Sequence, residues 1–250
     1  MNWVSAAGIA GGAALGVAAA FAWSAGYPGA QIFGPTLRKT GDAKAIALTF
    51  DDGPNPAATP AILDLLERYQ ARGTFFLMGA HVRAFPELAR EIAARGHAIG
   101  NHTETHRNLT LLGRGTLREE FERCREAIER AAGVRPKWMR PPFGFRGPAL
   151  DKVVRELGYA GVAMWSRWAW DWKPQPAERV TRRLRRVRGG DIVLLHDGDH
   201  RRLEGDRRHT AEAVRYWLPR WKDLGMRFVS ADEIQISQDR ASGEIMEKAG

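Results

Sequence analysis

Short, continuous apolar runs alternate with longer amphipathic segments from about residue 44 onward. Runs that are apolar at every position, rather than at every second one, are typical of strands buried on both faces of a sheet. Seven such runs predict strands over residues 45–50, 74–78, 98–100, 137–140, 159–165, 192–195 and 227–229. A sheet buried in this way needs helices on its faces.

The stretches between these runs have helical periodicity. Ile62, Leu65, Leu66 and Tyr69 repeat with a period of about 3.6 residues, and glycines follow several of the stretches, where a left-handed cap is favoured. Helices are predicted over residues 60–72, 86–95, 117–132, 148–157, 177–188 and 210–224. About seven β/α units in series predict a parallel α/β sheet or a closed barrel.

The chain opens with an Ala- and Gly-rich apolar stretch, residues 3–27, and its first charged residue is Arg38. The length of the stretch reaches that of a membrane span. We therefore expect residues 1–30 to be a transmembrane or signal segment, joined by a linker at 31–43 to a main domain at 44–235. Ala20-Phe21-Ala22 would suit a signal-peptide cleavage site, and a buried helix is the alternative. The polar tail, 236–250, is expected to be mobile.

The charge balance is basic, because 38 Lys and Arg face 29 Asp and Glu, a net charge of +9. This excess favours a membrane surface or an anionic polymer as partner, although a solvated basic surface is an equal alternative. No nucleic-acid-binding motif is recognisable, so nucleic acid is not expected as a partner. Cys124 is the only cysteine, which excludes an intrachain disulfide and the zinc-finger spacings. Any metal site must therefore use histidines and carboxylates.

Titratable side chains follow three of the predicted strands. Asp51 and Asp52 end the first; successive side chains point to opposite sides, so one could bind a metal while the other accepts a proton. His102 and His106 are four residues apart and would share one face of a helical turn, within reach of one metal. His196 ends the sixth strand and is a natural proton donor near neutral pH. A polar turn, surface histidines and a structural histidine are the ordinary alternatives.

Two further segments follow the fourth and fifth predicted strands. In Arg140-Pro-Pro-Phe-Gly the paired prolines fix the backbone and hold Arg140 at the strand end. The fifth strand leads into four tryptophans within eight residues. We expect Trp165 to be core, whereas Trp168, Trp170 and Trp172 are either core or a wall for sugar rings.

These segments occur in a characteristic order: Thr-Phe-Asp-Asp-Gly-Pro at 49–54, the pair His102 and His106, Arg140-Pro-Pro-Phe, Asp171-Trp172, and Leu194-Leu195-His196. Together they resemble the polysaccharide deacetylases, the NodB homology or carbohydrate esterase family 4 enzymes, over roughly residues 44–230. The resemblance implies a distorted (β/α)7 barrel that removes N-acetyl, or alternatively O-acetyl, groups from sugars.

By this resemblance, Asp52, His102 and His106 would hold a divalent metal, most commonly zinc, with cobalt, nickel or manganese as alternatives. Two histidines and one carboxylate leave positions open for water and substrate. The implied partner is an acetylated glycan such as peptidoglycan or a chitin-like polymer. A monomer in the cell envelope, anchored or exported through residues 1–30, is expected.

Four matched residues would carry the chemistry: Asp51 as general base, Arg140 as its partner, His196 as general acid and Asp171 as the partner that tunes it. A proton acceptor beside the water and a proton donor beside the leaving group are what amide hydrolysis requires.

Four more residues would contact the substrate. Trp172 and Leu194 match the pocket for the acetyl methyl, and the backbone N–H of Phe143 matches an oxyanion donor. Many relatives have tyrosine at Phe143, a change that a backbone role would survive. Trp168 stands where many relatives have an acidic residue, and we expect it or Trp170 to form an aromatic wall of the groove.

Two alternatives to a hydrolase fit parts of the pattern. A non-haem Fe(II) oxygenase also uses two histidines and one carboxylate, but it would not need Asp51 and His196. A catalytically silent glycan-binding module could keep the barrel. The loop after His196 carries Arg201, Arg202, Arg207 and Arg208. That loop is expected to attract an anionic polymer or headgroup, or to be a solvated loop offset by nearby carboxylates.

Overall fold

The computed structural model describes residues 19–234. Residues 1–18 and 235–250 lie outside this range, and with them most of the apolar stretch and the whole predicted tail. Residues 19–26 are helical. The guanidinium of buried Arg146 donates hydrogen bonds to the carbonyl oxygens of Ser24, Tyr27 and Ala30, so the end of this helix and the residues after it pack on the main domain. Between residues 19 and 234, no helix is both long and apolar enough to cross a membrane.

The described residues form one sheet of nine strands, and all of its strand pairs are parallel. The strands are β1 (Thr36–Leu37), β2 (Ala45–Gly53), β3 (Gly73–Leu77), β4 (Ala98–Asn101), β5 (Trp138–Met139), β6 (Gly161–Ala163), β7 (Arg167–Trp168), β8 (Ile192–His196) and β9 (Arg227–Phe228). Their order is β1-β6-β5-β4-β3-β2-β8-β7, and β9 pairs with β2. All seven predicted strands are present, and β2, β3 and β8 are buried at every position, in agreement with their apolar runs.

One extended segment curls this sheet into a distorted barrel. β6 pairs with β5, whereas β7, only a few residues further along the chain, pairs with β8. Ser166, between the two, donates its backbone N–H to the carbonyl of Ile192 on β8. The segment thereby links the two sides of the sheet. The predicted NodB-like barrel is confirmed in this curled form.

Helices cover the outer face of the sheet: α1 (Thr59–Arg68), α2 (Gly79–Ala84), α3 (Pro86–Ala94), α4 (Arg114–Ala132), α5 (Leu150–Glu156), α6 (Ala177–Leu184) and α7 (Arg208–Asp223). Short 3-10 turns occupy Pro142–Gly144 and Ala231–Glu233. α1 stops earlier than its periodicity predicts, because Gln70 takes a φ of 49° that no helix continues through.

The main core lies between the strands and these helices. Phe50 of β2 and Phe75 of β3 stack with ring centroids 4.9 Å apart, and Ile62 and Leu66 of α1 are fully buried in the same cluster. Each such side chain contributes about 1.5–3 kcal/mol through burial. The core fixes the strands in register, and their carboxyl ends consequently meet at one edge.

Candidate active site

The predicted site residues gather at the carboxyl edge of the sheet. Asp51 near the end of β2 is in register with His196 at the end of β8. Asn101, the last residue of β4, pairs with Met139 on β5 and accepts the backbone N–H of Arg140. The parallel strands β2, β8, β4 and β5 therefore bring these residues to the same end of the barrel, where the loops after strands carry function.

A bulge at the end of β2 turns both aspartates toward one centre. The register with β3 shifts between Asp51 and Gly53, and Asp52 has a φ of 70°, a left-handed conformation that aspartate tolerates. Asp51 Oδ2 and Asp52 Oδ1 lie 3.8 and 3.3 Å from Nε2 of His102. The expectation that the two carboxylates point to opposite sides, based on regular strand alternation, is therefore wrong.

The two histidines meet through a loop rather than a helix. Thr103 and His106 have φ values of 69° and 58°, which no α-helix contains. The loop is held by Thr103 Oγ1, which accepts the backbone N–H of His106 at 3.1 Å. The helical-turn argument for this pair is wrong, because two left-handed residues replace the turn, but the prediction that His102 and His106 converge agrees with the structure.

Asp52, His102 and His106 form a donor set that fits a divalent metal. One ligand atom from each lies within 4.8 Å of the others, and all three residues are buried. In the described part of the chain, buried Asp52 Oδ1 has no hydrogen-bond partner, yet it lies 3.1 Å from His106 Nε2. Nδ1 of His102 is hydrogen-bonded to the carbonyl of Arg140 at 2.8 Å, which leaves Nε2 for a metal.

The charge state of this set also suits a cation. Burial would raise the pKa of Asp52, but neighbouring His106, His102 and His200 hold it well below its usual range. Burial lowers the pKa of His106, against the opposing effect of Asp52. A carboxylate and a neutral imidazole are the forms that bind metal ions.

Arg140 holds the second carboxylate. Its fully buried Nη1 donates to Asp51 Oδ1 at 2.8 Å and to Thr49 Oγ1 at 2.7 Å. Its Nε and Nη2 donate to the carbonyl oxygens of Ala163 and Met164, where the chain leaves β6. Every bond that fixes the guanidinium comes from the barrel itself, so Asp51 keeps one oxygen anchored and the other directed toward the histidines.

His196 is held by Asp171. The Nδ1 of His196 lies 2.9 Å from Asp171 Oδ1, and its backbone N–H donates to Oδ2 at 2.8 Å. Thr210 Oγ1 donates to the same Oδ2. Burial would lower the pKa of His196, but the carboxylate of Asp171, with those of Asp52 and Asp51, raises it to about 9. The imidazole is therefore a charged proton donor near neutral pH.

The predicted substrate contacts surround these groups. Phe143, 49% exposed, lies edge-on to His106 with ring centroids 4.5 Å apart. Leu194 is buried in the same cluster as Trp165, as expected for a core tryptophan, and half-buried Trp168 packs against that cluster. Trp172 is half-buried and lies 5.1 Å from Trp168, ring to ring. The aromatic residues thus line one side of the edge that holds His196.

Sequence reasoning missed His200. Its ring stacks on His106 with centroids 4.3 Å apart, and its Nδ1 is 3.7 Å from Asp52 Oδ2. It lies in the loop after β8, with no repeated spacing to mark it. Asp197, the residue after His196, is also buried. Burial raises its pKa to about 7, although the Thr59 hydroxyl donates a hydrogen bond to it.

The basic loop after β8 is less free than its sequence predicts. Arg207 is 1% exposed, donates to the carbonyl of Trp172 and pairs with Asp199 at 3.2 Å. Arg208 is paired with Asp206 at 2.8 Å. Only Arg201 and Arg202 of the four are exposed without an ion pair among the described residues. The loop is therefore braced by its own carboxylates, and Arg207 positions the tryptophan segment.

Comparison with known proteins agrees with the resemblance noted in the sequence. Residues 38–162 match the polysaccharide deacetylase family. The chain is 36% identical, over 76% of its length and 88% of the relative's, to a peptidoglycan-N-acetylglucosamine deacetylase of Bacillus cereus. The crystal structure of the Bc1960 peptidoglycan N-acetylglucosamine deacetylase in complex with 4-naphthalen-1-yl-N-oxidanyl-benzamide superposes with a TM-score of 0.73, at 33% identity, covering 80% of this chain and 92% of that one.

A second similar structure is that of a CE4 family pseudoenzyme from Bacillus anthracis, with a TM-score of 0.71 at 25% identity, covering 80% of this chain and 68% of that one. The barrel alone therefore does not guarantee catalysis. Here the carboxylate pair, the two histidines, Arg140 and the Asp171–His196 pair all converge at one edge, and the oxygenase alternative is set aside. The chain belongs to the polysaccharide deacetylase family, carbohydrate esterase family 4, and is a carbohydrate deacetylase.

Proposed function

We propose that this protein removes the N-acetyl group from N-acetylhexosamine units of a cell-envelope glycan, with peptidoglycan as the favoured substrate. The observation that carries the proposal is the convergence of a metal donor set, a fixed carboxylate and a charged imidazole at one edge of the barrel. The names of the similar proteins support peptidoglycan. The same groups could cleave an O-acetyl ester, which is the easier reaction.

The metal is proposed to be zinc, held by Asp52, His102 and His106. When bound, it would polarise the acetyl carbonyl and make water more acidic. The donor set supports this choice, because nitrogen and carboxylate ligands with open positions are typical of catalytic zinc. Cobalt, nickel or manganese could replace zinc in the same ligands.

Asp51 is proposed as the general base. Its Oδ1 is bound by Arg140, so its Oδ2 is the atom free to accept a proton from an attacking water. Because Arg140 is buried and held by the carbonyl oxygens of Ala163 and Met164, Asp51 cannot swing away during the reaction. A fixed acceptor within hydrogen-bond reach is what general-base catalysis requires.

The acetyl group is proposed to lie between the loop of Phe143 and the side chains of Trp172 and Leu194. Phe143 has a φ of 58°, so its backbone departs sharply from the strand that precedes it. Its N–H is the proposed donor to the oxyanion, as the family resemblance implies. Leu194 and Trp172 would enclose the methyl in an apolar pocket, and Trp168 is proposed as a groove wall.

His196 is proposed as the general acid. Deacetylation of an amide must expel an amine, which is a poor leaving group until it is protonated. Because Asp171 keeps the imidazole charged, the proton is available at neutral pH without an external donor. Asp171 itself is proposed as a positioning residue, since it contacts only His196 and the polar groups behind it.

The protein is proposed to act as a monomer in the cell envelope, anchored or exported through residues 1–30. The uncharged stretch 3–27 and the extracytoplasmic position of peptidoglycan support this location. Protease added to spheroplasts should cleave the domain at 44–235. Complete protection of a domain that detergent renders cleavable would contradict this topology.

The activity is tested by acetate release. Purified protein should release acetate from peptidoglycan or N-acetylchitooligosaccharides in the presence of zinc, without oxygen or reductant. The Asp51→Asn protein serves as the matched control, because it should bind metal and glycan but not turn over. Binding of glycan without acetate release by the unaltered protein would instead support a silent glycan-binding module.

A further inference from the structure

A basic cleft separates helix α6 from the edge strand β7. It has a volume of about 410 Å³ and is lined by Trp168 and Trp170 on one side and, on the other, by residues 182–187 at the end of α6 and in the turn after it. Its volume can hold a sugar unit with its substituents. None of the residues that bind the proposed metal or surround Asp51 contributes to this cleft.

The helix side of the cleft is strongly basic. Between residues 173 and 190 the sequence has seven basic residues and one acidic residue. Val180 and Leu184 bury the inner face of α6, whereas Arg182 on the helix and Arg185 and Arg186 in the turn after it are exposed. Within residues 19–234, none of these three arginines forms an ion pair. Three unneutralised guanidinium groups, one on α6 and two in the turn after it, make a site for anions.

The opposite side is built from stacked aromatic rings. Trp170 is 48% exposed and stacks on Trp168 with centroids 4.4 Å apart and planes inclined by 20°. Arg183 holds this segment in place, because its Nη1 donates to the carbonyl oxygens of Ala169 and Trp170. In addition, Trp168 Nε1 is buried and lacks a hydrogen-bond partner in the described residues.

The aromatic side leads directly to the proposed acid. Trp170 and Trp172 flank Asp171, whose carboxylate binds His196, and their rings are 5.3 Å apart, centroid to centroid. A polymer with a sugar unit at His196 could therefore continue over the tryptophans toward the arginines. This continuity favours a glycan, rather than a lipid surface or a nucleic acid, as the occupant of the cleft. A lipid surface would not enter a cleft.

We infer that this cleft binds an acidic polysaccharide, with its carboxylate or phosphate groups on Arg182, Arg185 and Arg186 and a sugar ring on Trp170. The inference rests on the proposed function, because it takes the polymer at the cleft to be the one deacetylated. It makes the enzyme selective for anionic over neutral acetylated glycans, and it assigns that selectivity to the end of α6 and the turn after it rather than to the loop after β8.

The test compares two N-acetylglucosamine-containing probes, hyaluronate oligosaccharides with a carboxylate on alternate sugars and neutral N-acetylchitooligosaccharides of equal length. Affinities are measured by calorimetry on zinc-loaded Asp51→Asn protein, which prevents turnover. The cleft variant is Arg182→Gln/Arg185→Gln/Arg186→Gln. The matched control, Arg68→Gln/Arg90→Gln/Arg130→Gln, removes the same charge from exposed positions on other helices. Thermal unfolding checks that both variants are folded.

We expect the cleft variant to bind hyaluronate about tenfold more weakly than the protein with all three arginines, while the control variant keeps its affinity for hyaluronate. Raising the salt concentration to about 0.5 M should abolish the preference for hyaluronate in the protein whose cleft is unaltered. Equal loss in both variants, or no preference for hyaluronate, would overturn the inference. So would arginine-dependent binding to phosphatidylglycerol vesicles or polyadenylate without binding to hyaluronate.

Acetate release from the neutral oligosaccharides by the protein with Asp51 intact separates the two hypotheses. Acetate release without a preference for hyaluronate would overturn the inference about the cleft and leave the proposed function standing. A preference for hyaluronate without release of acetate from any glycan would support binding of an acidic polysaccharide in the cleft and contradict the proposed function.

Discussion

Replacing Asp171 by asparagine removes a negative charge that lies 2.9 Å from Nδ1 of His196 and leaves the size of the side chain unchanged. The pKa of His196 is raised from 6.5 to about 9 although burial would lower it. That difference corresponds to about 3 kcal/mol in favour of the charged imidazole. Without the Asp171 carboxylate only the more distant charges of Asp52 and Asp51 oppose burial, so the pKa of His196 in the variant should fall well below its value of about 9.

The same shift sets a pH dependence for stability. The folded state holds the His196 proton more tightly than the unfolded chain, whose histidine has a pKa of about 6.5. The stabilisation is therefore complete below pH 6.5 and is lost as the pH rises through about 9. The Asp171→Asn protein should show a smaller loss between pH 6.5 and 9, because its folded state no longer has the main group that holds the His196 proton.

Nitrogen-15 NMR titration of the histidines in the metal-free protein measures the pKa directly, and the pH profile of kcat/KM on an amide substrate measures its consequence. The alkaline limb should move to lower pH in Asp171→Asn. Thr210→Val is the control, because it removes a hydrogen bond to Asp171 Oδ2 without removing the charge. A His196 pKa near 9 in the asparagine variant, or an equal shift in the valine variant, would refute the reasoning.

Four further predictions concern single side chains. His106→Ala should lose bound metal by elemental analysis while circular dichroism shows an intact fold; full metal content would contradict its role as a ligand. Asp51→Asn should keep its metal but lose about a hundredfold or more in kcat; loss of metal would make it a ligand instead. His196→Ala should impair amide hydrolysis far more than hydrolysis of an activated ester, whereas equal impairment would argue against an acid role. Trp168→Ala should raise KM for a polymer more than for a small acetyl ester; equal KM changes would place it outside the groove.

The sequence predicted the fold well, because each buried strand is continuously apolar and long-range pairing does not alter that pattern. The elements it missed are β1, α2 and β7, which have six residues or fewer and are defined by their neighbours rather than by periodicity. β7 matters most, because it continues β6 across to β8 and curls the sheet.

The site was predicted as a set of residues but not as a geometry. Regular strand and helix spacing gave wrong orientations for Asp52 and His106, because both take left-handed backbone conformations that the pattern of side chains does not reveal. His200 reaches the same centre from a loop without periodicity. The expectation that Arg207 belongs to an exposed basic loop was also wrong. Its burial depends on Asp199 and Trp172 rather than on its local sequence.

The most direct test of the account is quantitative acetate release from purified peptidoglycan by the zinc-loaded protein, followed by labelling of the new amines. The account predicts acetate and free amines in equal amounts, loss of both when the metal is chelated, and recovery when zinc is restored. Acetate release that persists in a His102→Ala/His106→Ala protein shown to lack metal would contradict it. So would the absence of release from peptidoglycan, chitin oligomers and acetylated xylan alike.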